Sequence, residues 1–534
     1  MDAVELEVAR NRVEGVAEEM GRVLVRTAFS PNIKEREDCS TALFTADGRM
    51  AAQAEHIPVH LGAMPDSVAA VAGREVEAGD VWMLNDPYRG GSHLPDVTLV
   101  SPVYVDGSHV GYAASRAHHA DVGGSTPGSM PADSTSIHEE GLRIPPVRLV
   151  RDGAVVDDVF DVFLANVRAP DERRADVEAQ IAANRRGVDR LRELSGELDL
   201  GTAFDEVIEY ARERMRSEIE RLDDGVYAAE DLLELPDGDV TVAVEIEVEG
   251  HEMTFDFEGT SDEVDGNLNA PPSVTRSAVY FVLRCLASGD VPVNHGCYAD
   301  VDVSVPEGSL LDPNPPAAVA AGNVETGQRV ADVVMEALRP ASDSLPAQGQ
   351  GTMNNTTVGT EEFAYYETVG GGQGASSRGP GPTGVHVGMS NTLNTPVEAL
   401  ERDYPLEVAE YAVRRRSGGE GRQRGGDGLV RSIRLLEDAR VSLISGRRRR
   451  RPRGAEGGGD GARGRNLVDG EEVAGKYVGR LDAGSVVTVV SPGGGGWGAV
   501  GDSEDGGASG DGRASDVEAD ATDGPREDGL EEGR

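Results

Sequence analysis

Two apolar runs, 97–105 and 109–117, are separated by Asp106-Gly107. This dipeptide closes a two-residue hairpin, because both of its positions accept positive φ. Pairing the runs would bring the loops on either side of 97–117 to the same end of a sheet. A fold built on that hairpin must hold Asn85-Asp86-Pro87-Tyr88-Arg89-Gly90-Gly91-Ser92-His93-Leu94-Pro95-Asp96 beside His118-His119-Ala120-Asp121 at one end of a sheet. The two segments carry three of the chain's ten histidines, and the Gly90-Gly91 pair is expected to keep the first loop sterically open.

His and Asp side chains gathered from a few loops are what a divalent cation needs, with a coordination position left for water if the site is catalytic. Asp38, His93, His118 and Asp121 fit that need. Successive strand residues point to opposite faces, so one of His118 and His119 faces the site while the other packs or supports it. The spacing His118-x-x-Asp121 lets a turn bring the carboxylate beside the ring, which favours His118. The same histidines could instead satisfy loop hydrogen bonds, and spacing alone leaves both readings open. His56 and His60 flank an Ile-Pro-Val core and are expected to be structural or supporting residues.

Apolar residues near a 3.6 spacing predict an amphipathic helix over 4–28, and 41–54 predicts a hairpin turning at Asp47-Gly48. A buried strand is expected at 80–84, one or two long helices over 171–222, and strands again over 239–257. The stretch 262–400 is rich in Asn, Gly, Thr and Pro and is expected to form ordered loops through side chain to backbone hydrogen bonds. Gly-rich runs follow after Ser417, then a last strand at 485–490. The expected class is a mixed, multi-domain α+β fold, β-rich with long helices in the N-terminal half. Its expected divisions are an N-terminal metal-site region (1–225), a central Asn/Gly-rich region (226–410) and a C-terminal β-rich region (411–500). Residues 501–534, with twelve acids and three arginines, are expected to be a disordered acidic tail.

The 534 residues suggest roughly two to four domains. Net charge is −44, and Lys34 and Lys476 are the only lysines among 51 cations. An acid-rich, lysine-poor chain is halophile-like, since a carboxylate surface keeps a protein soluble in concentrated salt. The same charge argues against nucleic-acid partners, which need a positive face. Three cysteines without C-x-x-C spacing exclude a disulfide framework or zinc ribbon, and Cys39 is expected to be a buried small residue rather than a nucleophile. An acidic N-terminus and the lack of any run of about eighteen apolar residues predict a cytoplasmic protein with no membrane partner. The segment 470–477 begins like a phosphate-binding loop, but Tyr477 replaces the required Ser or Thr and two glutamates would repel phosphate. Residues 447–451, five consecutive arginines, are expected to have a structural or subunit-contact role.

Taken together, several long motifs closely resemble the hydantoinase B/oxoprolinase family. They are 32–40 (Asn-Ile-Lys-Glu-Arg-Glu-Asp-Cys-Ser), 53–65, 85–96, 118–124, Asn323-Val324-Glu325-Thr326, Gly351-Thr352-Met353-Asn354-Asn355, Glu367-Thr368-Val369-Gly370-Gly371-Gly372 and the final Pro492-Gly493-Gly494-Gly495-Gly496. The resemblance spans about residues 5–499 and implies the metal-bearing B-type component of an ATP-dependent cyclic amidohydrolase, of N-methylhydantoinase or 5-oxoprolinase type. It implies a hetero-oligomer in which a hydantoinase A-type partner holds ATP and phosphorylates a cyclic amide or imide, and the B-type component opens the ring with metal-activated water. The metal would be Mn, Zn, Fe or Mg, and the family's ligands fall on Asp38, His93, His118 and Asp121. Lys34 becomes a candidate to bind an anionic intermediate and His119 a candidate catalytic residue. The alternatives are an acetone-carboxylase-like alpha subunit and a non-catalytic subunit with a structural metal. The chain departs from the family at Cys39, where an aromatic residue is expected, and at Arg453, where a large apolar one is expected.

Overall fold

The Asp106-Gly107 turn forms as its sequence requires, with φ of 48° and 81°, and its arms pair antiparallel from Val105↔Ser108 back to Asp96↔His118, with a one-residue register shift between Val103 and Tyr104. This computed structural model describes residues 1–500 except 56, 236, 237 and 343, so His56 and the acidic segment 501–534 lie outside the described residues. The hairpin is the middle of a seven-stranded antiparallel sheet. Its strands are β1 (Cys39–Thr45), β2 (Met50–Glu55), β3 (Val81–Leu84), β4 (Asp96–Val105), β5 (Ser108–His118), β6 (Val147–Arg151) and β7 (Ala154–Val155). They lie in the order β2-β1-β5-β4-β3-β6-β7.

Both faces of this sheet are covered, which explains why its central strands read as unbroken apolar runs. Adjacent residues of β1 alternate between two cores. Leu43 packs with Val13, Val16 and Met20 of helix α1 (Ala3–Thr27) and with residues of α2 (Pro170–Ser195) and α3 (Leu200–Ile219). Phe44 packs on the other side with Trp82, Val100 and Tyr112. The predicted helices 4–28 and 171–222 and the hairpin at Asp47-Gly48 are therefore present, the second region as two helices.

A second sheet contains β8 (Gly225–Leu233), β9 (Val240–Glu249), β10 (Glu252–Asp256) and β11 (Val301–Ser304), in the order β11-β10-β9-β8. Along β9 the buried Val244, Ile246 and Val248 alternate with the exposed Glu245, Glu247 and Glu249, and Val242 continues the buried face. Each such burial stabilises the fold by about 2 kcal/mol before entropy is counted. The helices α4 (Pro272–Leu286) and α5 (Gly327–Leu338) share that core.

The C-terminal part contains β12 (Asn355–Gly359), β13 (Ala364–Glu367), β14 (Leu406–Arg414), β15 (Gly428–Leu435), β16 (Ala439–Ile444), β17 (Arg465–Val468), β18 (Glu471–Val473), β19 (Lys476–Leu481) and β20 (Val486–Val490). The order β13-β12-β16-β19 makes a third sheet and β14-β15-β20-β17-β18 a fourth. The molecule is thus a mixed fold of long helices and several sheets. Met1–Val500 make one compact unit. Among the described residues no helix is long and apolar enough to cross a membrane.

The glycine-rich runs differ from the turns their composition suggests. Gly494 donates to Gly426 O, Gly426 to Gln373 O and Gly372 to Pro492 O, at 2.9, 2.9 and 3.0 Å. These are separate backbone segments laid side by side. A Cβ at Gly494 would stand 2.1 Å from Gln373 O, and one at Gly426 1.8 Å from Pro382 O. Glycine is used here for close approach, which lets the backbone groups of neighbouring segments satisfy one another.

Three arginines of the run pair with carboxylates of the same chain. Arg447 is buried against Asp231 and Asp332, both at 2.9 Å, while Arg449 and Arg450 reach Asp239. Arg453, the departure from the family pattern, bonds Glu336. The segment resembling a phosphate loop is β18, a turn and the start of β19.

Candidate metal centre

The register of the first sheet collects the site. Asp96 opens β4, His118 closes β5 and the two are Cα partners. On the other side of β5, Cys39 pairs with Ala117, and His118 N donates to Asp38 O at 3.0 Å. Three adjacent strands therefore bring Asp38, Asp96 and His118 to one sheet end. His93 arrives from the turn before β4, where Asp96 N donates to His93 O at 3.1 Å.

One ligand atom from each of His93, Asp96 and His118 lies within 4.8 Å of the others, and all three residues are buried. Nδ1 of His93 is 3.0 Å from Asp96 Oδ2 but out of hydrogen-bond alignment, so both ring nitrogens of His93 lack a hydrogen-bond partner. Nε2 of His118 and Oδ1 of Asp96 are equally buried and unpartnered. Orphaned buried donors and acceptors of this kind each cost about 1–3 kcal/mol. Three residues leaving ligand-type atoms unpaired in one place fit a divalent cation.

The surroundings fix these atoms. Asn32 Nδ2 lies 3.2 Å from His118 Nδ1, which leaves Nε2 as the ring's other available nitrogen. Tyr366 of β13 stacks on the same ring, with centroids 4.6 Å apart and planes at 11°, and the Arg36 guanidinium lies over Tyr366. Ser92 Oγ donates to Asp96 Oδ2 at 2.6 Å. His60 Nε2 stands 3.7 Å from Asp96 Oδ1, and its Nδ1 is 2.9 Å from Ser40 Oγ, so His60 is placed as a support beside the cluster.

Charge is unevenly distributed. Burial, with His93 adding to it, holds the His118 imidazole well below its ordinary value, so the ring is neutral and can offer a lone pair. Burial raises the Asp96 carboxyl, but His93 and His60 more than offset this and hold it well below the usual range. Burial pushes the fully buried Asp38 carboxyl up, opposed first by His60.

The remaining sequence-derived candidates are elsewhere. Asp121 is not in the cluster. Its oxygens accept from Gly123 N (2.8 Å), Gly128 N (3.0 Å), Arg168 N (2.9 Å) and Arg168 Nη1 (3.2 Å), which pins the 121–129 loop. His119 turns to the opposite face, where Nε2 meets Gln180 Oε1 at 2.9 Å and the ring stands edge-on to Phe163. Lys34 is exposed at the end of the helical turn Pro31–Lys34, and its charge acts on Asp403. Cys39 is buried, and burial raises its thiol.

Asp96 is the residue that spacing reasoning passed over. The hairpin carried part of its signal: a turn at Asp106-Gly107 alone sets residue 96 opposite residue 117, and the register shift between Val103 and Tyr104 moves it to 118. Gly90 and Gly91 serve packing rather than openness, since a Cβ would stand 2.5 Å from Asp66 O at the first and 2.4 Å from Asn85 O at the second.

The sequence profile of the Hydantoinase B/oxoprolinase family matches residues 2–500. The 5-oxoprolinase 1 of Arabidopsis thaliana is 41% identical over 93% of this chain, which spans 42% of that protein's length. The B component of a putative D-/L-hydantoinase from a Pseudomonas species is 32% identical over 93% of this chain and 90% of its own. The crystal structure of an ATP-dependent caprolactamase from Pseudomonas jessenii superposes with a TM-score of 0.86 at 29% identity, covering 93% of this chain and 91% of that one.

Proposed function

This chain belongs to the hydantoinase B/oxoprolinase family, and we propose that it is the ring-opening component of an ATP-dependent hydrolase acting on a cyclic amide or imide. Relatives named 5-oxoprolinase and D-/L-hydantoinase, and a structural neighbour named caprolactamase, are consistent with that substrate class. The chain spans about two-fifths of the 5-oxoprolinase relative, which leaves room for an ATP-binding partner of hydantoinase A type.

The observation that carries the reading is the set of buried, unpartnered ligand atoms on His93, Asp96 and His118. These three residues would hold a divalent cation, and Asp38 would complete the set, because a cation offsets the cost of burying its carboxylate. When bound, such a cation supplies Lewis acidity toward a carbonyl or a water.

The chain's own residues do the rest. Neutral His118, anchored at Nδ1 by Asn32 and at its face by Tyr366, presents Nε2 in one orientation. Asp96 is held by Ser92 and keeps Oδ1 available. Burial of the whole cluster excludes bulk water and strengthens each electrostatic contact made there. Phosphorylation of the amide, or of its tautomer, by the partner would make the ring carbon accept water at this protected end of the sheet.

The test is reconstitution with an A-type partner. ATP-dependent opening of 5-oxoproline or hydantoin by the wild type, lost with His93→Ala in a folded protein, supports the reading. Equal activity in the two proteins would refute it.

A further inference from the structure

A cavity of about 310 Å3 is lined by Glu325, Lys476, Arg448, Arg463, Leu235 and Leu268. It lies outside the cluster described above, yet it holds one of the chain's two lysines. The third sheet connects the two places. Lys476 on β19 pairs with Ile444 on β16, and Ile444 pairs with Asn355 on β12. Asn355 Oδ1 accepts from Tyr366 Oη at 2.7 Å, and Tyr366 covers His118. Two strand spacings, about 10 Å, and one tyrosine thus separate Lys476 from the histidines.

The groups in this cavity are prepared for a ligand. Lys476 Nζ gives one of its three protons to Asn267 Oδ1. Glu325 Oε1 accepts from Thr352 Oγ1 at 2.8 Å and from Met353 N at 3.2 Å. Glu325 Oε2 is buried without a hydrogen-bond partner. It faces Gly446, where a Cβ would stand 2.8 Å from it, so the glycine leaves its approach open. Glu325 sits on a single π-helical turn, Gly322–Thr326, a distortion often found at functional sites. Arg448 is locked by Asn466, Asn354 and Gly446 O and acts as a fixed positive charge. Burial pushes the Glu325 carboxyl up to about 7, and in its ionised form the unpartnered oxygen is costly and calls for a donor.

We propose that this cavity binds a small cyclic amide bearing an oxyanion, with the oxyanion on Lys476 beside Arg448 and the amide N–H given to Glu325 Oε2. The ligand class rests on the cyclic-amide reading above, whereas the binding site does not depend on the metal. The oxyanion can be a carboxylate on the substrate or, where the ring keeps a second N–H as a hydantoin does, a phosphoryl group added to it. The lining carries Lys476, Arg448, Arg449 and Arg463 against Glu234, Glu325 and Glu472, a slight excess of positive charge in a chain of net charge −44.

Having only two lysines gives a direct test. The full chain is acylated with limiting acetic anhydride, and Lys34 and Lys476 are scored separately by mass spectrometry. The probes are 5-oxoproline, inorganic phosphate and, as a neutral control, 2-pyrrolidinone. At ten times the dissociation constant, occupancy should slow acylation of Lys476 about tenfold and leave Lys34 unchanged. Protection by 5-oxoproline alone assigns the carboxylate, protection by phosphate alone the phosphoryl group, and 2-pyrrolidinone should protect weakly or not at all. No protection by either anion, or equal protection of Lys34, overturns the proposal. Lys476→Met should abolish binding of the protecting anion in equilibrium dialysis, and Lys476→Arg should retain it. His93→Ala should leave Lys476 protection intact, so a failure of the metal reading is distinguishable from a failure of this one.

Discussion

Asp96 and His118 are register partners, one the first residue of β4 and the other the last of β5. Their pairing follows from a two-residue turn ten residues away, where φ is positive at both Asp106 and Gly107, together with a one-residue register shift between Val103 and Tyr104, without which residue 96 would face residue 117. Strand pairing thus brings a carboxylate and an imidazole together, and the turn and the register shift jointly set which residues meet. A one-residue slip would send His118 to the other face, where His119 now bonds Gln180.

Asp121→Ala should leave metal content unchanged. The Asp121 carboxylate accepts four hydrogen bonds, two of them from Arg168, and its loss should destabilise the protein by about 3 kcal/mol. Denaturant melts beside metal analysis of the same sample check this. Loss of metal at unchanged stability would return Asp121 to the ligand set.

The two aspartates show how much of the site was legible. His93-x-x-Asp96 and His118-x-x-Asp121 have the same spacing, and spacing cannot tell which carboxylate a turn will fill with backbone N–H groups. The hairpin brings residue 96 within one residue of being opposite 118, which favours Asp96, but its exact partner is set by the register shift between Val103 and Tyr104, which the turn residues do not announce. Tyr366 was beyond reach, since it comes to His118 from a different sheet. The helices, the first sheet's hairpins and β20 were legible because their periodicity is local. The glycine runs were not, because close approach between distant segments leaves the same composition as a flexible turn.

The Lys476 amine should acylate with a midpoint near pH 8. Burial pushes it down to about 8, while Glu325 acts in the opposite direction. Only the neutral amine is nucleophilic, so the rate should rise as pH increases toward 8 and level off above it. Glu325→Gln removes the opposing charge and should move the midpoint lower. A midpoint near 10.5, the ordinary lysine value, in both proteins would show that the amine is not desolvated.

Ring opening by hydrolysis incorporates oxygen from water and no carbon. With 13C-bicarbonate, ATP, the A-type partner and 5-oxoproline, the product should carry no 13C, whereas 18O-water should label the new carboxylate. Uptake of 13C would instead place the chain with carboxylases.

The most direct measurement is the metal content of His118→Ala and His119→Ala after purification and dialysis, with folding checked by circular dichroism. The account predicts that His118→Ala loses the bound divalent metal by on the order of 100-fold in affinity while His119→Ala retains it. Retention by His118→Ala together with loss by His119→Ala would contradict the site.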